Sequence, residues 1–441
     1  MRTVRWHGLA LMAILGAVES REAGAQLAGL LEDILPIQQA GASYPNFLGS
    51  AGEFTYFSAS LPTSGRDLWR TDGTPEGTSL AHKTCSDYCN DYLRSLDLST
   101  NGQKLFLARV HPTDNTSADA LFLARATAPE VVEILGAGAG LTFPNVAAPG
   151  GSAYLDERLY FWGTANGNDR LLRTSASGAE AELIRDMSEF DGLSGFQSLA
   201  STVLFWAHPD SGPIELWKTD GTASGTTRIV ALDVTPGDQV VALAGRLMIF
   251  TATGESGLEV WSTDGTAAHT QPLTDFADSG AFVWEMMASS THVFLFVHDL
   301  SFGQELWATD GTATGTNQVT SFGYFQPFAP GSPFHHLAVA GSTAYFLATD
   351  GLGGAGLWSA SAAPFSASPI LEICPEAYCL ETAWLERIDS RLFFLREDAE
   401  LGREIWTSDG TAVGSRILED ACPGHCSGGG TILASNEHRL V

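Results

Sequence analysis

Lysine is almost missing: Lys83, Lys104 and Lys218 are the only three in 441 residues. Lysine and arginine together number 23 against 51 aspartates and glutamates, leaving a formal charge of −28. A surface of that sign repels phosphate backbones and anionic lipid, so nucleic acid is not an expected partner. Long apolar runs are missing too. Leu9 to Val18 is an apolar stretch of about ten residues, half of the roughly 20 that span a bilayer, and no membrane insertion is expected. Beyond it no useful length of 3.6-residue periodicity appears, which argues against a helical fold. There is no H-E-x-x-H, no G-x-S-x-G and no phosphate-binding loop, so no catalytic residue and no cofactor is expected from motifs.

What stands at the start is an export signal. Arg2, Arg5 and His7 precede the apolar run, and Ala23-Gly24-Ala25 follows it before Gln26. A basic head, a short greasy core and an A-x-A exit predict a signal peptide over 1–25, cleaved near Ala25. The expected product is a secreted or periplasmic domain, 26–441, and with 44% hydrophobic residues it has enough apolar matter for a large core.

Internal repetition decides the expected fold. The segment Asp67-Leu68-Trp69-Arg70-Thr71-Asp72-Gly73-Thr74 recurs in pattern at Glu215–Thr222, Glu259–Thr266, Glu305–Thr312 and Glu404–Thr411. Worn copies lie around Phe122, Leu172 and Trp358, and the eight markers are spaced about 48 residues apart. That period is too long for leucine-rich or ankyrin units and fits a propeller blade. Before each marker lies a short apolar stretch: Phe54–Phe57, Leu105–Val110, Leu159–Trp162, Val203–Trp206, Leu247–Phe250, Val293–Val297, Ala344–Leu347 and Leu392–Leu395. These read as strands buried on both faces. Weaker strands precede them, as at Val240–Ala244 and Leu337–Ala340, and fourth strands follow the marker, as at Arg228–Val234 and Arg416–Asp420. The expectation is an all-β propeller of eight four-stranded blades. Leu30–Ile34 resembles a fourth strand and Thr431–Ala434 a first strand, phases that suit ring closure, with an open array as the rival.

Asp-Gly is a strong turn signal, because glycine accepts positive φ and aspartate bonds back to its own chain. Asp72, Asp220, Asp264, Asp310 and Asp409 are therefore read as turn residues. Calcium is the rival reading, disfavoured because each turn offers one carboxylate where calcium takes six to eight oxygens. A second glycine closes the loop at Gly77, Gly225, Gly315 and Gly414, with His269 in its place in copy five. Trp69, Trp217, Trp261, Trp307, Trp358 and Trp406 are expected to pack blade against blade, the alternative being a row of sugar-stacking aromatics.

The recurring Glu-Leu-Trp-x-x-Asp-Gly-Thr followed by x-x-Gly-Thr resembles the signature of the bacterial ELWxxDGT-repeat proteins, over about 27–441 of this chain. The copies near 122 and 172 lack Asp-Gly-Thr, and Ser359–Ala362 replaces it in the seventh. The resemblance implies export and a propeller-like repeat architecture, and no activity.

Six cysteines fall in three close pairs, Cys85/Cys89, Cys374/Cys379 and Cys422/Cys426, each in the loop leaving a fourth strand. In an exported chain this predicts three local disulfides, with zinc as the alternative that C-x₂₋₄-C spacing allows. His335-His336 is read as a packed pair on a strand. His111, His208 and His298 follow second strands, each near an aspartate (Asp114, Asp210, Asp299), and are read as polar loop residues, with a metal- or sugar-binding rim as the alternative. Two functions stay open. One is a non-catalytic exported propeller, monomeric, that serves binding, adhesion or surface scaffolding toward an unknown protein or glycan. The other is a polysaccharide-active enzyme with acidic residues in the propeller funnel.

Overall fold

A computed structural model describes residues 46–61, 65–84, 92–98, 104–110, 118–126, 128–134, 141–144, 146, 150–165, 167–178, 180–276, 280–299, 303–322, 337–349, 355–374, 385–388, 390–398, 402–418, 435–436 and 439–440. Among these residues the chain forms eight four-stranded sheets, each a meander whose strands pair antiparallel in chain order. They cover 46–82, 92–133, 152–186, 193–232, 235–272, 282–318, 337–374 and 385–417, here called blades one to eight. A short strand, Leu141–Thr142, adds to the second strand of blade three, and Ser435–Asn436 pairs with Arg439–Leu440 in a separate hairpin. The sole helical element among the described residues is a 3₁₀ turn at Ala267–His269. The fold class is all-β, built of β-propeller blades.

The chain divides into two compact units. One holds 1–196, 221–226 and 432–441, and the other holds 197–220 and 227–431. Within the first, blades one and two share a core of Leu48, Tyr56, Leu68, Leu105, Leu107 and Phe122. Blades two and three share Phe106, Leu121, Phe161 and Leu172. In the second unit the four pairs from blades four and five to blades seven and eight bury similar clusters.

The second strand of each blade carries this core, as its unbroken apolar run predicts. Phe57, Phe106, Phe161, Phe205, Phe250, Phe294, Phe346 and Phe394 are all fully buried. A strand with a sheet packed on either face has no polar side, so it reads as a run and not as an alternation. At roughly 3–5 kcal/mol for a Phe→Ala truncation, these eight rings are major anchors of the blades.

The first and second strands lie close to their expected places: Leu337–Ala340 is a strand at those bounds, and Val240–Ala244 falls largely within Thr235–Leu243. Fourth strands are shorter than the sequence suggests, Thr227–Leu232 and Arg416–Ile417. They pair with a neighbour on one side only, so their apolar residues do less to hold them. The worn second and seventh copies have a plain explanation. Arg125 pairs directly with Ala128 and Ala362 with Phe365, so each hairpin turns in two residues and leaves no room for an Asp-Gly-Thr loop. The signal peptide at 1–25, the end fragments Leu30–Ile34 and Thr431–Ala434, and His111, Asp114, His335 and His336 lie outside the described residues.

Candidate functional site

Each signature position has an assignable contact. In the turn of blade six, Asp310 Oδ1 accepts from the Thr312 backbone N–H at 2.9 Å and from its hydroxyl at 2.7 Å. Asp72, Asp264 and Asp409 repeat both bonds with Thr74, Thr266 and Thr411. Asp220 sits at the same place in blade four. The threonine before the aspartate, Thr309, accepts from Gly311 N–H at 3.0 Å and bonds Thr316 at 2.6 Å. Gly311 has φ +89°, and a Cβ there would stand 2.4 Å from Leu247 of the preceding blade. Gly315 is needed for a different reason: its Cβ would fall 2.0 Å from Asp310 Oδ1. The aspartate lies over the glycine, and that contact demands the second Gly.

Blade five solves the same turn differently. His269 replaces the glycine, the turn tightens into the 3₁₀ element, and His269 Nδ1 meets Asp264 Oδ2 at 2.6 Å. Partial burial raises the Asp264 carboxyl, but the bonds from Thr266 and His269 outweigh it and hold the group below its ordinary value. Asp409, fully exposed, is likewise held low, first by the Thr411 hydroxyl and then by its N–H.

The tryptophans stand on third strands, each opposite a second-strand core residue. The pairs are Phe57–Trp69, Phe205–Trp217, Phe250–Trp261, Leu295–Trp307, Phe346–Trp358 and Phe394–Trp406. Trp217, Trp261 and Trp358 stack on their phenylalanines with centroids 6.2–6.5 Å apart. Trp217 is buried and the other five are half-buried. Trp261, Trp307, Trp358 and Trp406 each join the cluster between their own blade and the one before. The phenylalanines form the floor and the tryptophans its cover.

Sequence reasoning passed over the acidic residue two places before five of the six tryptophans, Trp358 having Gly356 there. Asp67, Glu259, Glu305 and Glu404 are buried, and Glu215 is half-buried. Glu259 accepts from the Thr274 hydroxyl at 2.6 Å and the Phe276 N–H at 3.0 Å, and Glu305 accepts from Thr320 at 2.5 Å. Asp67 accepts from Thr84 N–H at 2.9 Å. Each of these three carboxylates staples the chain leaving the fourth strand back onto the third. In blade four, Glu215 instead takes the Trp217 indole N–H at 2.9 Å and Arg228 at 2.7 Å. The signal was the repeated acid itself, with a threonine fifteen residues later in blades five and six.

Within each blade, strand direction sorts the turns to two ends, here called the rims of that blade. Signature turns join third to fourth strands and share a rim with the first-to-second hairpins. The opposite rim carries the second-to-third loops and the linkers to the next blade. His208, Pro209 and Asp210 lie there, and His298 packs on Phe282 and Trp284 at 4.8 and 6.4 Å. Cys85, Cys89, Cys379, Cys422 and Cys426, with the side chain of Cys374, lie outside the described residues. Between blades four and five the same rim opens into a groove of about 1090 Å³ bordered by Leu232, Asp233, Thr253, Glu255, Glu259 and Trp261. Among the described residues no cluster of three or more His, Cys, Asp or Glu is arranged to hold a metal ion.

No protein-family model and no curated protein matches the chain. Among solved structures it is similar to the β-propeller domain of the trilobed protease from Pyrococcus furiosus, at 10% identity and a TM-score of 0.42, over 86% of this chain and 97% of that one. It is similar to a puromycin hydrolase at 12% identity and a TM-score of 0.42, over 81% of this chain and 59% of that one. The chain thus spans about three fifths of that enzyme. An oligogalacturonate lyase matches at 12% identity and a TM-score of 0.41, over 72% and 89%. At these identities none of their chemistry is carried onto this chain.

Proposed function

We propose that the chain is an exported, non-catalytic propeller of the ELWxxDGT-repeat kind, whose signature residues hold the blades while the opposite rim binds a protein or glycan. The observation that supports this reading is the commitment of the repeated acids. Four of the five signature aspartates accept two bonds each from their own threonine, and Asp67, Glu215, Glu259 and Glu305 accept bonds within their own chain. These bonds tie each acid to its own turn or strand, the arrangement of a structural acceptor and not of a general acid or nucleophile turned toward a substrate. Binding groups on a rigid scaffold belong on loops, and the described second-to-third loops lie at the end of each blade away from the signature turns.

The test is a panel of oligosaccharides and peptides incubated with the mature protein, scored both for binding and for product. Binding without turnover supports the reading. Depolymerisation of any glycan would replace it with the polysaccharide-active alternative. Export carries a second expectation, three local disulfides at Cys85–Cys89, Cys374–Cys379 and Cys422–Cys426. A non-reduced digest should give three loop peptides, each lighter by two hydrogens; free thiols or chelator-released zinc would contradict it.

A further inference from the structure

In blades six to eight the signature tryptophan is met by a side chain from its own molecule. Phe276, in the linker leaving blade five, stands edge-on to Trp307 with centroids 5.3 Å apart. Phe322 does the same to Trp358 at 4.9 Å. In blade eight the Arg396 guanidinium lies over Trp406, 4.2 Å from the ring centroid.

Blade five lacks both devices. Phe276 and Phe322 each stand six residues after the last signature threonine, Thr270 and Thr316, and the residue six after Thr226 is Leu232. Arg396 faces Glu404 across its sheet, and the residue facing Glu259 is Ala252. Beside Trp261 the groove of about 1090 Å³ remains. Its lining includes Asp233, Glu255 and the buried Glu259, with no lysine, arginine or histidine among the described residues that border it.

We propose that this groove binds an arginine or lysine side chain of a basic peptide segment from a partner protein, its cation drawn to Trp261 and the carboxylates around it. Blade eight already shows a guanidinium accepted over the equivalent indole. Blade four shows the equivalent carboxylate, Glu215, holding Arg228 at 2.7 Å. A cation over an indole face is attracted by the ring quadrupole, and nearby carboxylates add to that in a groove partly shielded from water. A partner of positive charge is also the one that a chain of net charge −28 steers toward itself. The proposal rests on the reading of the chain as a binder, and names both the place and the ligand chemistry.

The experiment uses the mature chain and fluorescein-labelled hexa-arginine, followed by anisotropy at physiological salt, with hexa-glutamate and cellohexaose as comparators. Asp233→Asn with Glu255→Gln removes two exposed groove charges. Glu53→Gln with Glu76→Gln removes two exposed charges on blade one. Leu232→Phe restores the missing plug, and its unfolding midpoint is checked against the parent. Hexa-arginine should bind, the groove pair should weaken it about ten-fold, and the plug should weaken it about three-fold or more. The blade-one pair should change it less than about two-fold. Equal loss from both charge pairs, or no loss from the groove pair, would overturn the site. Cellohexaose or hexa-glutamate binding that the groove variants abolish would overturn the ligand class. Cleavage of the peptide would instead sink the non-catalytic reading.

Discussion

Blades five and six carry the same pattern, Glu-x-Trp-x-Thr-Asp-Gly-Thr, at the same strand positions, yet they close differently. Blade six uses Gly315 under Asp310 and caps Trp307 with Phe276. Blade five sets His269 against Asp264 and presents Trp261 to a groove. The acid staple, the Phe or Leu floor and the threonine pair are common to both. What is shared holds the blade together; what differs lies in the turn and in the cover of the tryptophan. The comparison therefore separates scaffold from candidate site within one molecule.

The largest effect should come from the shared staple. Glu305→Ala and Glu259→Ala each remove a buried carboxylate and orphan a threonine hydroxyl, at a cost of about 3 kcal/mol by urea unfolding. Equal costs would sharpen the comparison by showing one device in two blades. A cost below about 0.5 kcal/mol in either would break it.

Next come the turns. Gly315→His forces a Cβ onto Asp310 and should cost about 2 kcal/mol, from the loss of the two Thr312 bonds together with the backbone shift that the clash requires. The reverse change, His269→Gly, loses the exposed His269–Asp264 contact while regaining a turn of the blade-six kind, and should stay within about 0.5 kcal/mol. If the two exchanges cost the same, the turns are not alternative solutions of one problem.

These comparisons also show what could be read from sequence alone. The second-strand runs and the eight-fold period were legible because burial on both faces leaves a continuous apolar segment at fixed spacing. The turn was legible because Asp-Gly-Thr bonds within three residues. The acid staple was not, since the partner of Glu259, Thr274, lies fifteen residues on and is brought back by strand pairing. Neither was the groove. It depends on Leu232 standing where Phe276 and Phe322 stand in later linkers, a difference that shows only when the blades are overlaid.

Acid should act on the turn of blade five by a smaller amount. The folded Asp264 carboxyl titrates below its unfolded value of about 3.9, so its contribution is complete above that pH. The contribution is lost as pH falls through the lower, folded value. Unfolding midpoints of the parent and His269→Gly should therefore converge as pH drops below about 4. A gap that widens on acidification would show that the His269–Asp264 bond does not hold that carboxyl low.

The smallest expected change, none at all on adding calcium, is also the most direct test of the central claim, that the signature turns are closed by the chain's own atoms. The measurement is thermal unfolding of the protein and of its Asp310→Ala variant, in excess Ca²⁺ and in EDTA. The account predicts melting curves of the parent that coincide in the two solutions, and a loss of about 1 kcal/mol in the variant that is the same in both. A large calcium-dependent rise in melting temperature, falling stepwise as Asp72, Asp220, Asp264, Asp310 and Asp409 are replaced in turn, would contradict it.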